Sequence, residues 1–81
     1  MKYIATFYSH FGAIRYKKLC EGRNQEAQIM PVPRDLSSSC GTCVRYEGDL
    51  ILPDAACHEE VEQIVQITQF GYETAYLAEE A

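Results

Sequence analysis

The chain has 81 residues, a length that admits one small domain and leaves no room for a separate substrate domain. Hydrophobic residues make up 47% and charged residues 23%, a globular balance that excludes a disordered tail. Seven Lys and Arg against twelve Asp and Glu leave a net charge of −5, without the basic footprint that a nucleic-acid partner requires.

Residues 2–8 alternate Tyr3, Ala5 and Phe7 against Ile4, Thr6 and Tyr8, with aromatic and β-branched side chains on both faces. That pattern predicts a central strand. The same segment carries one positive charge and no apolar run, so it does not read as a signal peptide, and no stretch approaches the ~20 apolar residues that span a bilayer. A cytoplasmic chain with no membrane partner is the expectation. Ser9 then reads as the N-cap of a helix from about His10 to Glu21, with Ala13, Tyr16 and Cys20 on one stripe beside Ile14 and Leu19. Gly22 is expected to stop it.

Residues 26–33 predict a second strand that lies at an edge or ends at the prolines, because Pro31 and Pro33 cannot donate to a ladder. A serine-rich loop from Arg34 to Gly41 leads to a third strand around Thr42–Glu47, and Gly48-Asp49 turns the chain. Cys57, Val61, Ile64, Val65 and Thr68 recur at helical spacing, which predicts a second helix from Pro53-Asp54 to about Gln69. Tyr72–Leu77 alternates as a last strand, and Ala78–Ala81 is expected to fray.

The order β-α-β-β-α-β corresponds to an α+β, ferredoxin-like domain: a four-stranded antiparallel sheet with both helices on one face. In that architecture the start of the first helix, the loop from Ser37 to Cys43 and the turn Gln69-Phe70-Gly71 share one end. His10 and Cys40 are thereby expected close together. The other sheet face is left uncovered, and a homodimer through it is the simplest partner.

Four cysteines in a chain with no export signal point to thiol chemistry more than to disulfides. The segment Ser37-Ser38-Ser39-Cys40-Gly41 is poor strand and poor core material. Its hydroxyls and unpaired N–H groups can form a nest for a thiolate, Gly41 permits a tight turn beside the sulfur, and Arg34, Arg45, His10 and the positive end of the first helix are cations or donors at hand. A serine-rich hairpin loop with an incidental thiol is the plainer reading, and the residues leave both open. Cys20 and Cys57 read as small core residues.

Pro31-Val32-Pro33-Arg34-Asp35-Leu36-Ser37-Ser38-Ser39-Cys40-Gly41, preceded by Thr6-Phe7-Tyr8-Ser9 and Ala13-Ile14 and followed by Val44-Arg45-Tyr46, resembles the small bacterial domains described as selenium/sulfur carrier-like proteins. The resemblance covers nearly the whole chain. It implies a single reactive cysteine, here Cys40, that carries sulfur or selenium as a persulfide or perselenide between donor and acceptor proteins. Arg34, Ser37, Ser38, Ser39 and Gly41 would then stabilise the thiolate, with His10 as proton partner. The sequence departs from the family pattern at Cys43, usually a small apolar residue, and in the longer stretch Leu50–Ala56.

Cys40-Gly41-Thr42-Cys43 is also a C-x-x-C. It enters a strand instead of opening a helix, unlike a thioredoxin-type pair. Three alternatives to simple carriage stay open: a redox pair, a zinc site on Cys40, Cys43 and His10, and resolution of a Cys40 persulfide by Cys43. No cofactor motif and no second acid/base pair is present, so the chain reads as an accessory carrier more than an enzyme with its own turnover.

Overall fold

In a computed structural model, residues 1–78 are described and form one helix against a five-stranded antiparallel sheet. The chain runs β1 (Lys2–Phe7), α1 (His10–Gly22), β2 (Ala27–Pro31), β3 (Thr42–Glu47), β4 (Val61–Thr68) and β5 (Gly71–Leu77). In space the strands lie in the order β2-β3-β1-β4-β5. This corrects the ferredoxin-like expectation of four strands and two helices.

β1 is the central strand, pairing with β3 (Ala5 opposite Val44, Thr6 opposite Cys43) and with β4 (Ala5 opposite Ile64, Ile4 opposite Val65). From Tyr3 to Phe7 it is buried on both faces. Ser9 caps α1, its Oγ accepting the Gly12 N–H at 3.4 Å. Gly12, Ala13, Tyr16 and Cys20 form the buried face. Gly22 is the last helical residue, and the left-handed conformation that turns the chain falls on Asn24 (φ 60°). Gly12 is needed for close approach: a Cβ there would lie 2.7 Å from the Glu60 Cβ and 3.1 Å from the Phe7 ring.

The second helix predicted over 53–69 does not form. Residues 49–60 instead carry the chain back along the helix side of the sheet, with Ile51 and Cys57 inserted into the core. Their anchor is a polar knot. The Tyr16 hydroxyl meets the Ile51 carbonyl and shares a 2.9 Å bond with the Tyr46 hydroxyl, which also accepts the Ile51 N–H at 3.3 Å. A carbonyl can only accept, so the Tyr16 proton serves Ile51 and the buried oxygens are all satisfied. Burial pushes both phenols above their ordinary range.

Residues 61–68 are β4 because Val61, Ile64, Val65, Ile67 and Thr68 are β-branched and fit a pleated surface. Their helical spacing has a specific cause. Thr6 faces Gln63 but Phe7 faces Val61, so Glu62 is an extra residue, a β-bulge. The bulge returns Val61 and Ile64, three apart, to the same sheet face, where both join the helix-side core. A strand with a bulge thus reproduces an i, i+3 pattern that sequence alone assigns to a helix.

The face opposite α1 is not open. Ile4, Cys43 and Val65 form a second apolar cluster, covered by Val32 and Leu36 of the loop between β2 and β3 and flanked by Met30, Ile67 and Tyr72. The loop is tied down by Tyr72, whose hydroxyl donates to Asp35 at 2.9 Å. The uncovered face that suggested a homodimer is therefore filled by the chain's own loop. The turn Gln69-Phe70 lies at the opposite end from that loop, because β4 runs down from Phe7 to Lys2 before turning. Ala78 remains bonded to the sheet through the Glu62 carbonyl (3.0 Å), and the fraying expected of 79–81 lies outside the described residues.

Two predictions follow from this packing. Gly12→Ala is expected to lower the unfolding free energy in urea by about 1–3 kcal/mol, through overpacking against Glu60 and Phe7. Burial pushes the Cys20 and Cys43 thiols up to about 11. The unfolded chain ionises its thiols near pH ~8.5. Their contribution is therefore complete below about pH 8 and is lost as pH rises toward 11. Melting temperature is expected to decline over that interval, less steeply in Cys43→Ala; a flat profile in the parent protein would contradict the burial argument.

Candidate functional site

Cys40 sits at the end of the serine-rich loop, where the chain turns into β3. Gly41 takes a positive φ of 74°, open to glycine at no steric cost, and its carbonyl accepts the Val32 N–H at 3.1 Å. This bond closes the loop at its base. Cys40 is half-buried against the edge of the helix-side core, and its Sγ donates to the Thr42 carbonyl at 3.5 Å. The other cysteines are all buried. Cys43 faces the second cluster, donates to the Pro31 carbonyl at 3.7 Å, and is held protonated chiefly by burial, with Cys40 as a smaller contributor. Burial likewise raises Cys20 and Cys57 in the helix-side core. All four thiols are free.

His10, the first residue of α1, reaches this end of the sheet: its Nδ1 lies 2.8 Å from the Thr42 Oγ1. Thr42 thus touches Cys40 through its carbonyl and His10 through its hydroxyl. The strand β1 and the helix return explain the approach, since Phe7 and Thr42 finish and begin neighbouring antiparallel strands.

The serines do something other than line a thiolate nest. Ser38 Oγ donates to the Phe7 carbonyl at 3.4 Å, and the Ser37 carbonyl accepts the Gln63 Nε2 at 3.2 Å. Ser39 gives both its N–H (3.3 Å) and its hydroxyl (2.6 Å) to the Glu62 carboxylate, which also accepts the buried Thr6 hydroxyl at 3.1 Å. These bonds fasten the loop to β1 and β4. Arg34 is exposed, and the ion pairs among the described residues are Arg15–Glu60 and Lys17–Glu21. Arg45 lies in register with Ile4 and Gln28, farther down β3 than Cys43.

Beside the loop opens a cleft of about 480 Å³ lined by Tyr8, Ser37, Ser39, Glu62, Gln63 and Leu77. Glu62, Gln63 and Thr42 are the site residues that the sequence reading passed over. Glu62 and Gln63 were hidden by the helix assigned to their segment; the density of β-branched neighbours was the signal that could have shown them. Among the described residues no group of three or more His, Cys, Asp or Glu is gathered to hold a metal ion. Cys40 and Cys43 are aimed at different carbonyls and pack against different clusters.

The chain belongs to the family described as "Putative Se/S carrier protein-like", which it matches over residues 2–77. No curated protein and no solved structure matches it. Among the described residues no helix is long and apolar enough to cross a membrane.

The burial contrast gives a direct test. In the native protein, iodoacetamide is expected to modify Cys40 first, with Cys20, Cys43 and Cys57 on the order of a hundredfold slower because they require local opening. Peptide mass spectrometry after timed quenching reads the order. Equal labelling of all four before unfolding would show that the packing does not protect them.

Proposed function

We propose that the protein carries a sulfane sulfur or selenium atom on Cys40, between a donor and an acceptor protein. The observation that carries the reading is that Cys40, alone among the four cysteines, is accessible, in a chain that belongs to a family named for this task. A carrier needs one thiol that a partner's active site can reach, and side thiols that do not compete. Burial supplies that selectivity here without any further chemistry.

The transfer balances without an added oxidant. The Cys40 thiolate attacks the outer sulfur of a donor persulfide; a new S–S bond forms, the donor's S–S bond breaks, and the donor leaves as a thiolate. On delivery, the acceptor's nucleophile attacks the outer atom and Cys40 leaves as a thiolate. Selenium follows the same steps as a perselenide. His10, held through Thr42, is the proton partner in this reading: it takes up the thiol proton on loading and returns it after delivery. The protein is then an accessory without turnover of its own. Its setting is the reducing cytoplasm, where four free thiols persist.

Loading the reduced protein with a sulfane donor and mapping the added mass tests the reading. A gain of one sulfur or one selenium confined to Cys40, absent in Cys40→Ala, is the expected result. A loss of two hydrogens linking Cys40 to Cys43, or a stoichiometric metal in the intact mass, would replace carriage by a redox or zinc-binding interaction module. Should Cys43 resolve the loaded atom, sulfide release would be slower in Cys43→Ala. With the Cys43 thiol pushed up to about 11, that release is expected to be slow at neutral pH and to accelerate as pH rises.

A further inference from the structure

The residue that precedes Cys40 is held by a single carboxylate from a distant strand. Glu62 lies 23 positions from Ser39 in sequence, yet its Oε1 accepts the Ser39 N–H and its Oε2 accepts the Ser39 hydroxyl at 2.6 Å. The same Oε1 accepts Thr6 Oγ1 from the buried centre of the sheet. Three donors thus converge on one carboxylate, and bonds to an ionised acceptor are roughly twice as strong as neutral ones.

The backbone puts Glu62 there for a reason. It is the unpaired residue of the β-bulge between Val61 and Gln63, and a bulge turns neighbouring side chains toward the same face. Glu62 and Gln63 accordingly both reach the loop: Gln63 takes the Ser37 carbonyl while Glu62 takes Ser39. A regular strand would send one of the two to the helix side. On the other flank of Cys40, the Gly41 carbonyl is fixed by the Val32 N–H. The thiol-bearing residue is therefore suspended between two anchored neighbours. One anchor belongs to the loop's own base, and the other is Glu62.

From this geometry we infer that Glu62 is a positioning residue for Cys40: through Ser39 it sets the place and exposure of the thiol. The inference rests on the carrier reading for its functional consequence. Its structural part, that Glu62 holds Ser39 and thereby Cys40, stands without it. A displacement of the thiol of the order of an ångström is enough to slow an in-line sulfur transfer by one or two orders of magnitude, while small alkylating reagents gain from the looser loop. Loading and alkylation should then move in opposite directions, which a merely structural residue would not produce.

The experiment compares the parent protein with Glu62→Gln, Ser39→Ala and Thr6→Val. Glu62→Gln keeps the shape but replaces one acceptor oxygen with a donor. Ser39→Ala removes the hydroxyl bond and leaves Thr6 with its partner. Thr6→Val removes the core bond and leaves Ser39 anchored. Three readouts are taken at fixed pH: exchange of the Ser39 amide hydrogen, native alkylation of Cys40 by iodoacetamide, and the rate of sulfur loading from a persulfidated sulfurtransferase, a donor whose outer sulfur is reached only in a docked geometry. In Glu62→Gln and Ser39→Ala, loading is expected to fall about tenfold or more while alkylation rises. Amide exchange is expected to accelerate in Glu62→Gln. Thr6→Val is expected to match the parent in loading, alkylation and exchange.

Unchanged exchange and alkylation in Glu62→Gln would overturn the assignment. So would faster exchange with parental loading, which would make Glu62 a loop anchor and nothing more. If the parent itself accepts no sulfur at Cys40, the carrier reading fails, and exchange and alkylation still decide whether Glu62 controls the thiol. A variant that loses its cooperative melting transition is replaced in the comparison by Ser39→Ala, whose change lies on the exposed loop.

Discussion

A central strand that is apolar on both faces has to be covered twice, and the described residues hold one helix to do it. β1 presents Tyr3, Ala5 and Phe7 to one side of the sheet and Ile4 and Thr6 to the other, all of them buried. Leaving either side wet would forfeit the burial on which so small a domain depends; each buried aliphatic or aromatic side chain contributes about 1.5–3 kcal/mol. α1 and the crossing segment 49–60 cover the first face. The second is covered by the loop between β2 and β3, which has no regular structure of its own. Most of the remaining architecture follows from that demand.

A loop recruited as a lid must be held in place, because it has no ladder hydrogen bonds to order it. Leu36 and Val32 supply the apolar contact; Tyr72, Gln63, Glu62 and the Phe7 carbonyl supply the polar ties. Of the serines that look like a thiolate nest in sequence, Ser38 and Ser39 donate in these ties, and the Ser37 carbonyl accepts from Gln63. Cys40 sits where the lid ends and the strand resumes, too close to the rim to be buried and too well held to wander. The same packing that hides Cys43 beneath the lid exposes Cys40 at its edge. The thiols thus differ in exposure by position: Cys43 lies beneath the lid, Cys20 and Cys57 lie in the helix-side core, and Cys40 is half-buried at the rim.

The polar knot of Tyr16, Tyr46 and the Ile51 backbone plays the matching role on the helix side. The crossing segment forms neither strand nor helix there; buried phenols satisfy the Ile51 backbone groups, and local turns satisfy those around Asp54 and Cys57. Two irregular segments, one per face, are each fixed by a small set of directed bonds. A helix in either place would have satisfied most of its own backbone without these side-chain bonds.

The strand alternation of residues 2–8, the Ser9 cap, the prolines that put β2 at an edge or end it, and the alternation of Thr42, Val44 and Tyr46 in β3 were all readable in order, because each is a local preference with a local cause. Cys40 stood out as a candidate from the serine and glycine residues around it together with the family resemblance. What local pattern misread was residues 53–69. There a bulge at Glu62 restored helical spacing to a strand, and only pairing with β1 and β5 distinguishes the two. With β4 assigned to a helix, Glu62 and Gln63 could not be seen facing the cysteine loop, and the second sheet face looked empty. Side-chain type and near-neighbour spacing sufficed to nominate Cys40 as the candidate thiol and to place His10 at the start of α1, at the same end of the sheet. The burial of Cys20 and Cys57 was legible too, but only the tertiary structure shows that the loop is a lid, that Cys43 is buried beneath it, and that a carboxylate 23 positions away holds Ser39, because register and burial are properties of strands meeting across space.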